Sequence, residues 1–314
     1  MSTVTVEVPA DRPRPTAAPA RRRKRHLREY LLFLAFVGPN FLLIAVFAYW
    51  PVIRNLYLSL TKWDMIAPTP TFVGLANYAH MFTDPSFLTV LRITVLFTVA
   101  VVAGSLVLGL ALALLLNQRL RGRATVRTFA FAPHVLSGAA VATIWLFIFD
   151  PNYGMSRAFF EAFGATAPAW VTTSKYALPA LIIVYLWKGV GFTAIVFLAG
   201  LQSQPKELFE AADIDGASAW TKFRRIALPL LSPTTFFVLV ITIISTFQAF
   251  DVIAVMTGGG PGGASTTLSW YIYEEGFKAF DAGHAAAGSV IMFAVLLLLT
   301  GLQTRFVERK VHYQ

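Results

Sequence analysis

Pro205-Lys-Glu-Leu-Phe-Glu-Ala-Ala-Asp-Ile-Asp-Gly-Ala-Ser-Ala-Trp-Thr-Lys-Phe-Arg-Arg-Ile-Ala-Leu-Pro229 is a polar stretch set between two apolar ones, and it reads as helix, turn, helix, stop. Pro205 suits a first helical position, with Ser203 ahead of it as a cap. Leu208, Phe209 and Ala212 fall on one helical face, and Lys206, Glu207 and Glu210 lie off it. Asp215-Gly216 is a turn signal, because glycine accepts the positive φ that ends a helix. A second short helix aligns Trp220, Phe223 and Ala227 before Pro229 closes it. Two short amphipathic helices joined by a sharp turn make a knob suited to another protein's groove. By shape alone, a loop whose helices lie on the membrane surface serves equally well.

The flanks of this stretch are apolar, and composition explains why. Hydrophobic residues make up 56% of the chain and charged ones 13%, with a mean hydropathy of +0.63. A soluble domain carries roughly a quarter charged residues. The apolar content arrives in long blocks, which points to a polytopic membrane protein of all-α class rather than a large soluble core. Six spans are expected, at about 30–50, 91–116, 129–149, 177–199, 234–256 and 284–304. Gly38-Pro39 interrupts the first, and Pro133 stands near the start of the third. Gly104, Ser105 and Gly109 in the second permit close helix approach. Residues 1–29, rich in Pro, Ala and Arg, read as a disordered basic tail before a six-span membrane domain of residues 30–314. A cleaved signal peptide would have a shorter apolar region than the run from Tyr30 to Trp50.

Lys and Arg set the orientation. Nineteen fall in the tail, the second and fourth connections and the C-terminus, against five in the remaining connections. Arg92 and Lys188 lie in or at the edge of spans. Both termini and the stretch 205–229 are therefore expected in the cytoplasm. The net charge of +10 is accounted for by topology, so a nucleic-acid partner is not expected.

Several chemistries have no residues to carry them. There is no cysteine, which excludes disulfides, iron–sulfur clusters and thiol nucleophiles. No Gly-x-x-x-x-Gly-Lys-Ser/Thr phosphate loop occurs, and Gly258-Gly259-Gly260-Pro261-Gly262-Gly263 has no lysine and no following helix start. That run reads as a structural turn at the end of a span. No His-Glu-x-x-His or Gly-x-Ser-x-Gly occurs, and the five histidines have no ligand partners nearby in sequence. His134, alone near a membrane face, reads as a packed or interfacial histidine. Neither a metal site nor a catalytic residue is expected.

The polar stretch also carries a resemblance. Glu210-Ala-Ala-x-x-Asp215-Gly-Ala, then eight residues, then Ile226-x-Leu228-Pro229, resembles the EAA loop of permease subunits in binding-protein-dependent ABC importers. Pro51-Val-Ile-Arg-Asn-Leu-Tyr-Leu-Ser-Leu60, Phe72-Val-Gly-Leu-Ala-Asn-Tyr78, Arg121-Gly-Arg123, Arg127-Thr128, Thr257-Gly-Gly-Gly-Pro261 and Tyr271-Ile-Tyr273 look like the carbohydrate-uptake branch, of MalF/UgpA type. The resemblance implies a six-helix type I importer fold in a bacterial cytoplasmic membrane, and a second, MalG-like permease subunit. It also implies two copies of a cytosolic ATPase, which would hold ATP and Mg, and an extracytoplasmic sugar-binding protein. Phe209, Glu210, Ala211, Ala212, Asp215, Gly216 and Ala217 would then couple the spans to the ATPase, with Glu210 meeting a basic group.

The substrate path is expected on the fourth and fifth spans. Thr242, Ser245, Thr246 and Ala249 lie at i, i+3, i+4 and i+7, a small and polar face. Hydrogen bonds between helices explain such hydroxyls equally well. Counted back from Thr257-Gly-Gly-Gly-Pro261, these positions match those facing the sugar in the maltose-type permease, although the residue types differ. Lys188, Gly189 and Phe192 form the matching stretch of the fourth span. Lys188 and Asp251 are charges within spans, which usually pair or line a cavity. The alternatives are that Asp251 orients the turn at Gly258 and that Lys188 snorkels to a polar cavity. A glycerol-3-phosphate-type substrate, an ion-coupled secondary transporter and a polytopic membrane enzyme are the rival functions.

Overall fold

The computed structural model describes residues 20–118 and 122–307. Residues 1–19 of the expected tail lie outside the described residues, as do Arg119, Arg121, Arg309 and Lys310 from the charge count. The chain divides into two compact units, Met1–Arg54 and Asn55–Gln314.

In the first unit, α1 (Ala20–Ile44) begins ten residues before the expected span and takes in the basic run Arg21–Arg25, where sequence suggested a tail without structure. Arg and Lys, which make up that run, are good helix formers. The helix passes through Pro39 without a break. The irregularity lies further on, as a π-helical turn at Ala45–Tyr49 ahead of α2 (Trp50–Ser59). Pro51 follows that turn by two residues, and the same spacing recurs where a π-helical turn at Phe223–Ala227 precedes Pro229. A proline ring crowds the carbonyl four residues back, and a widened turn relieves that crowding.

The second unit takes in the end of α2 and then a short hairpin, β1 (Thr61–Lys62) and β2 (Thr71–Phe72), antiparallel with Thr61 opposite Phe72. Helix α3 (Ala76–Thr83) braces it, since buried Asn77 donates from Nδ2 to the carbonyls of Ser59 and Thr61, each at 2.9 Å. Tyr78 adds a hydroxyl bond to Ser59 Oγ at 2.8 Å. Asn77→Ala strands two carbonyls and is expected to destabilise the chain by about 1–3 kcal/mol. A lowered melting midpoint in detergent, compared with exposed Thr83→Ala, checks this. Equal midpoints would remove Asn77 as a brace.

The long helices α4 (Pro85–Asn117) and α8 (Ser174–Gln202) form the spine. They pack through the expected glycines, because a Cβ on Gly109 would lie 2.4 Å from Thr193 Cγ2 and one on Gly104 would lie 2.6 Å from Leu186 Cδ2. Phe97, Val101, Leu181, Val184, Val252 and Ile253 build the central buried cluster, whereas Val99, Val107, Leu297 and Leu298 are exposed as an apolar outer surface. That distribution fits helices solvated by lipid tails.

Between the two spine helices the expected third span is not one helix. Helices α5 (Arg123–Val135) and α6 (Gly138–Ile148) meet at 103°, so the described residues hold five apolar spans, or six with this bent pair counted as one. Pro133 weakens the end of α5, Leu136 is extended, and the Ser137 hydroxyl accepts from Ala140 N–H to start a new helix. Helix α7 (Met155–Ala162) follows.

After α8 come α9 (Lys206–Ile214), α10 (Ala219–Lys222), the π-helical turn and α11 (Leu228–Leu230). The fifth span is likewise divided, into α12 (Ser232–Phe247) and α13 (Asp251–Met256). Its break at Gln248–Phe250 takes Ala249 off the regular helical face expected for it and sets Asp251 at the start of α13. Helix α14 (Leu268–Tyr273), a third π-helical turn at Glu274–Lys278 and α15 (Ala282–Val307) complete the chain. The ends of α4 and α8 share one cleft with α9 and α10, while the start of α4 shares another with Gly262, Gly263 and Glu274.

Candidate functional site

Two features gather the residues singled out in sequence. The first is the knob at 205–229. Helix α9 starts at Lys206, so Pro205 sits at its extended cap position rather than inside it, and Ser203 closes α8 by donating to Gly200 O at 3.0 Å. The helix ends as the turn signal required. Gly216 has φ +72°, Ala217 N–H donates to Ala212 O at 2.9 Å, and Gly216 N–H donates to Asp213 O at 3.1 Å. This pattern satisfies two terminal carbonyls and needs a left-handed residue.

Ser218 caps α10 through Thr221 N–H at 3.2 Å, and Lys222 pairs with Asp213 to tie the two helices together. Pro229 does not close the second helix. It lies within α11, and the chain turns at Leu231 instead, because the π-helical turn has already accommodated the proline. Gln204 Nε2 donates to Ala227 O at 2.9 Å, fastening the base of the knob.

The seven knob residues divide by exposure. Phe209, Ala212 and Ala217 are half-buried, while Glu210, Ala211, Asp215 and Gly216 face outward. Trp220 and Phe223 fall on one face as expected, with ring centroids 5.6 Å apart, and Trp220 is 67% exposed. Ile214, which sequence reasoning passed over because it lies off the apolar face of α9, is 88% exposed. The knob therefore presents the carboxylates of Glu210 and Asp215 outward, together with the large apolar side chains of Ile214 and Trp220.

The second feature is a cavity of about 340 Å³ among α4, α5, α8 and α12, in the middle of the spans. All eight residues expected along the path line it: Lys188, Gly189, Phe192, Thr242, Ser245, Thr246, Ala249 and Asp251. The break in α12–α13 does not remove Ala249 and Asp251 from it. Lys188 Nζ lies 4.0 Å from Asp251 Oδ2. Asp251 Oδ1 accepts from Val252 N–H at 2.9 Å and from the Tyr185 hydroxyl at 3.5 Å. Asp251 does not orient the Gly258 turn. That turn is held at the far end of α13 by Ser265, whose hydroxyl donates to Gly260 O at 2.6 Å, and by Thr266, which donates to Gly259 O at 2.9 Å. The Thr246 hydroxyl donates to Thr242 O at 2.6 Å within its own helix rather than to a neighbour.

Sequence reasoning missed Ser105, His134 and Tyr185 on the cavity wall. His134 stacks on Phe192, with ring centroids 4.7 Å apart and 13° between planes. Spacing from Phe192 within α8 carries no sign of this, because His134 arrives from α5. The wall thus offers one cation, one anion, hydroxyls and a flat aromatic stack. Such a surface suits a hydroxyl-rich molecule with an apolar ring face.

Comparison with known proteins agrees with this geometry. Residues 105–313 match the family described as the binding-protein-dependent transport system inner membrane component. The chain is 37% identical over 280 residues to the sn-glycerol-3-phosphate transport system permease protein UgpA of Agrobacterium fabrum, covering 88% of this chain and 94% of that one. It is also 37% identical over 280 residues to a probable ABC transporter permease protein of Pyrococcus horikoshii, covering 88% and 95%. A chain in the crystal structure of a bacterial ABC transporter involved in the import of the acidic polysaccharide alginate superposes with a TM-score of 0.79 at 25% identity, covering 92% of this chain and 99% of that one. A matched family model over two thirds of the sequence, six apolar spans with one bent pair, and relatives matched over nearly their full length lead to one conclusion: the chain belongs to the inner-membrane components of binding-protein-dependent transport systems and is a permease subunit of an ABC importer.

Proposed function

We propose that this permease carries a sugar, as one of two permease subunits beside a MalG-like partner. An extracytoplasmic binding protein delivers the sugar, and two copies of a cytosolic ATPase drive transport through the stretch 205–229. On this reading both termini are cytoplasmic, and ATP and Mg are held by the ATPase rather than by this chain. The observation that carries the reading is the cavity whose wall combines a paired Lys188 and Asp251, hydroxyls and the His134–Phe192 stack. Its charges balance, so an uncharged, hydroxyl-rich ligand enters without leaving a charge unmatched. A volume of about 340 Å³ lies at the small end for ligand sites and favours a small sugar unit at any one time.

The knob supports the coupling part. Glu210, Ile214 and Trp220 are all exposed on the knob, and apolar anchors of that kind concentrate binding energy at interfaces. A second reading, transport of glycerol 3-phosphate or a related polyol phosphate, is favoured by Lys188 and by the relative in Agrobacterium fabrum. Uptake in proteoliposomes, with the importer's own ATPase and binding protein, separates the two. Expected is ATP-dependent accumulation of a neutral sugar found by titrating the binding protein against a sugar and polyol-phosphate panel. Accumulation of glycerol 3-phosphate alone would overturn the sugar reading. Uptake driven by an ion gradient without ATP would overturn the importer mechanism itself.

A further inference from the structure

Gly138 stands where the third span is broken, as the first residue of α6, and Asp251 occupies the space a side chain there would need. A Cβ built on Gly138 would lie 1.5 Å from Asp251 Oδ2, 2.0 Å from its Cγ and 2.6 Å from its Oδ1. All three of the nearest atoms belong to that one carboxylate, and none to backbone or to another side chain. The Asp251 carboxylate is therefore the first group that a side chain at 138 would meet. At the first turn of α6 unbonded backbone N–H groups also concentrate partial positive charge, which favours an anion at this place.

The other supports of the carboxylate come from different elements. Val252 N–H holds Oδ1 from α13, while Tyr185 and Lys188 approach from α8. Tyr185 is itself seated edge-on against Phe97 of α4, with ring centroids 5.1 Å apart. Asp251 is thus the point at which four elements fix one charge on the cavity wall, and α6 contributes by leaving room.

We propose that Gly138 is a positioning residue for the membrane cavity: its missing side chain seats the Asp251 carboxylate opposite Lys188, so that the kink in the third span sets the charge pattern of the wall. The significance of this for transport rests on the cavity being the substrate's. The seating itself does not. Any residue other than glycine at 138 turns the carboxylate away, loosens its pairing with Lys188 and changes the potential inside the cavity.

The chain has no cysteine, so Ser245→Cys, exposed in the cavity, supplies a single reporter thiol. Cationic and anionic methanethiosulfonates of similar size react with it in the full importer complex, and their rate ratio reads the local potential. Gly138→Ala is expected to lower the preference for the cationic reagent by about threefold or more, as a displaced nearby charge requires. In an Asp251→Ala background, where the three clashing atoms are gone, adding Gly138→Ala is expected to leave the ratio unchanged. An unaltered ratio in Gly138→Ala alone, or an equal shift in both backgrounds, overturns the proposal. If Gly138→Ala fails to assemble, the double variant with Asp251→Ala is expected to assemble as well as Asp251→Ala alone, and failure of that rescue overturns it too. Substrate uptake by Asp251→Asn is read separately. Unchanged apparent affinity there sinks the cavity as substrate path while the seating of Asp251 by Gly138 stands.

Discussion

Glu210→Arg is expected to cut ATP-driven uptake by about 30-fold or more, because in the proposed coupling it replaces attraction to a basic group of the ATPase with like-charge contact. The side chain is exposed on α9, so the substitution leaves the chain's own packing intact and the complex still assembles in part. Gly216→Pro attacks the same coupling from the backbone. Gly216 holds φ at +72°, and its N–H donates to Asp213 O at 3.1 Å. Proline fixes φ near −65° and removes that donor, so the turn between α9 and α10 cannot form as it stands. The bond from Ala217 N–H to Ala212 O is lost with it, and α10 is presented at a different angle. In both variants ATP hydrolysis by the complex should lose its dependence on loaded binding protein while uptake collapses. Uptake at the level of the unaltered complex in both variants would show that the knob does not transmit force.

That knob was legible because its determinants are local. Gly216 after a short amphipathic repeat states where α9 ends, and no tertiary contact is needed to read it. The spans were legible for the same reason, since block length alone separates a lipid-solvated helix from a core helix. The breaks were not. Residues 129–149 are apolar almost throughout, and the 103° bend depends on Leu136 going extended and on Ser137 recapping the chain, neither of which disturbs the hydropathy. The division after Phe247 is equally silent, because Gln248 and Asp251 could sit on a continuous helix. The cavity was half legible. Residues on α8 and α12 share a face by spacing, and Tyr185, three residues before Lys188 and seven before Phe192, stands on that same face, whereas His134 reaches the wall only through how α5 packs against α8. Trp220 and Phe223 share a face as their spacing requires, but spacing alone carries no statement of exposure, and Trp220 is 67% exposed.

Lys188 and Asp251 are expected to behave as a pair rather than as two separate contacts. Within the spans, removing either partner leaves the other charge in surroundings less polar than water. Lys188 is 21% exposed at its side chain and Asp251 48%, so the loss is smaller than for a sealed pair, at about 1–2 kcal/mol, or roughly tenfold in apparent affinity or rate. Lys188→Gln and Asp251→Asn alone should each show that loss. Combined, they remove both charges and leave two amides able to hydrogen-bond one another. The combined variant then separates the substrates. For a neutral sugar, uptake should recover to within a few-fold of the unaltered complex, since no charge is stranded and the hydroxyl contacts persist. For a polyol phosphate, Lys188 is the counter-ion of the cargo, and neutralising Asp251 cannot replace it. The combined variant would then stay as impaired as Lys188→Gln, and Asp251→Asn alone would improve uptake by removing a repulsive carboxylate. The sign of the Asp251→Asn effect is therefore the more telling measurement, because the two substrate classes require it to be opposite.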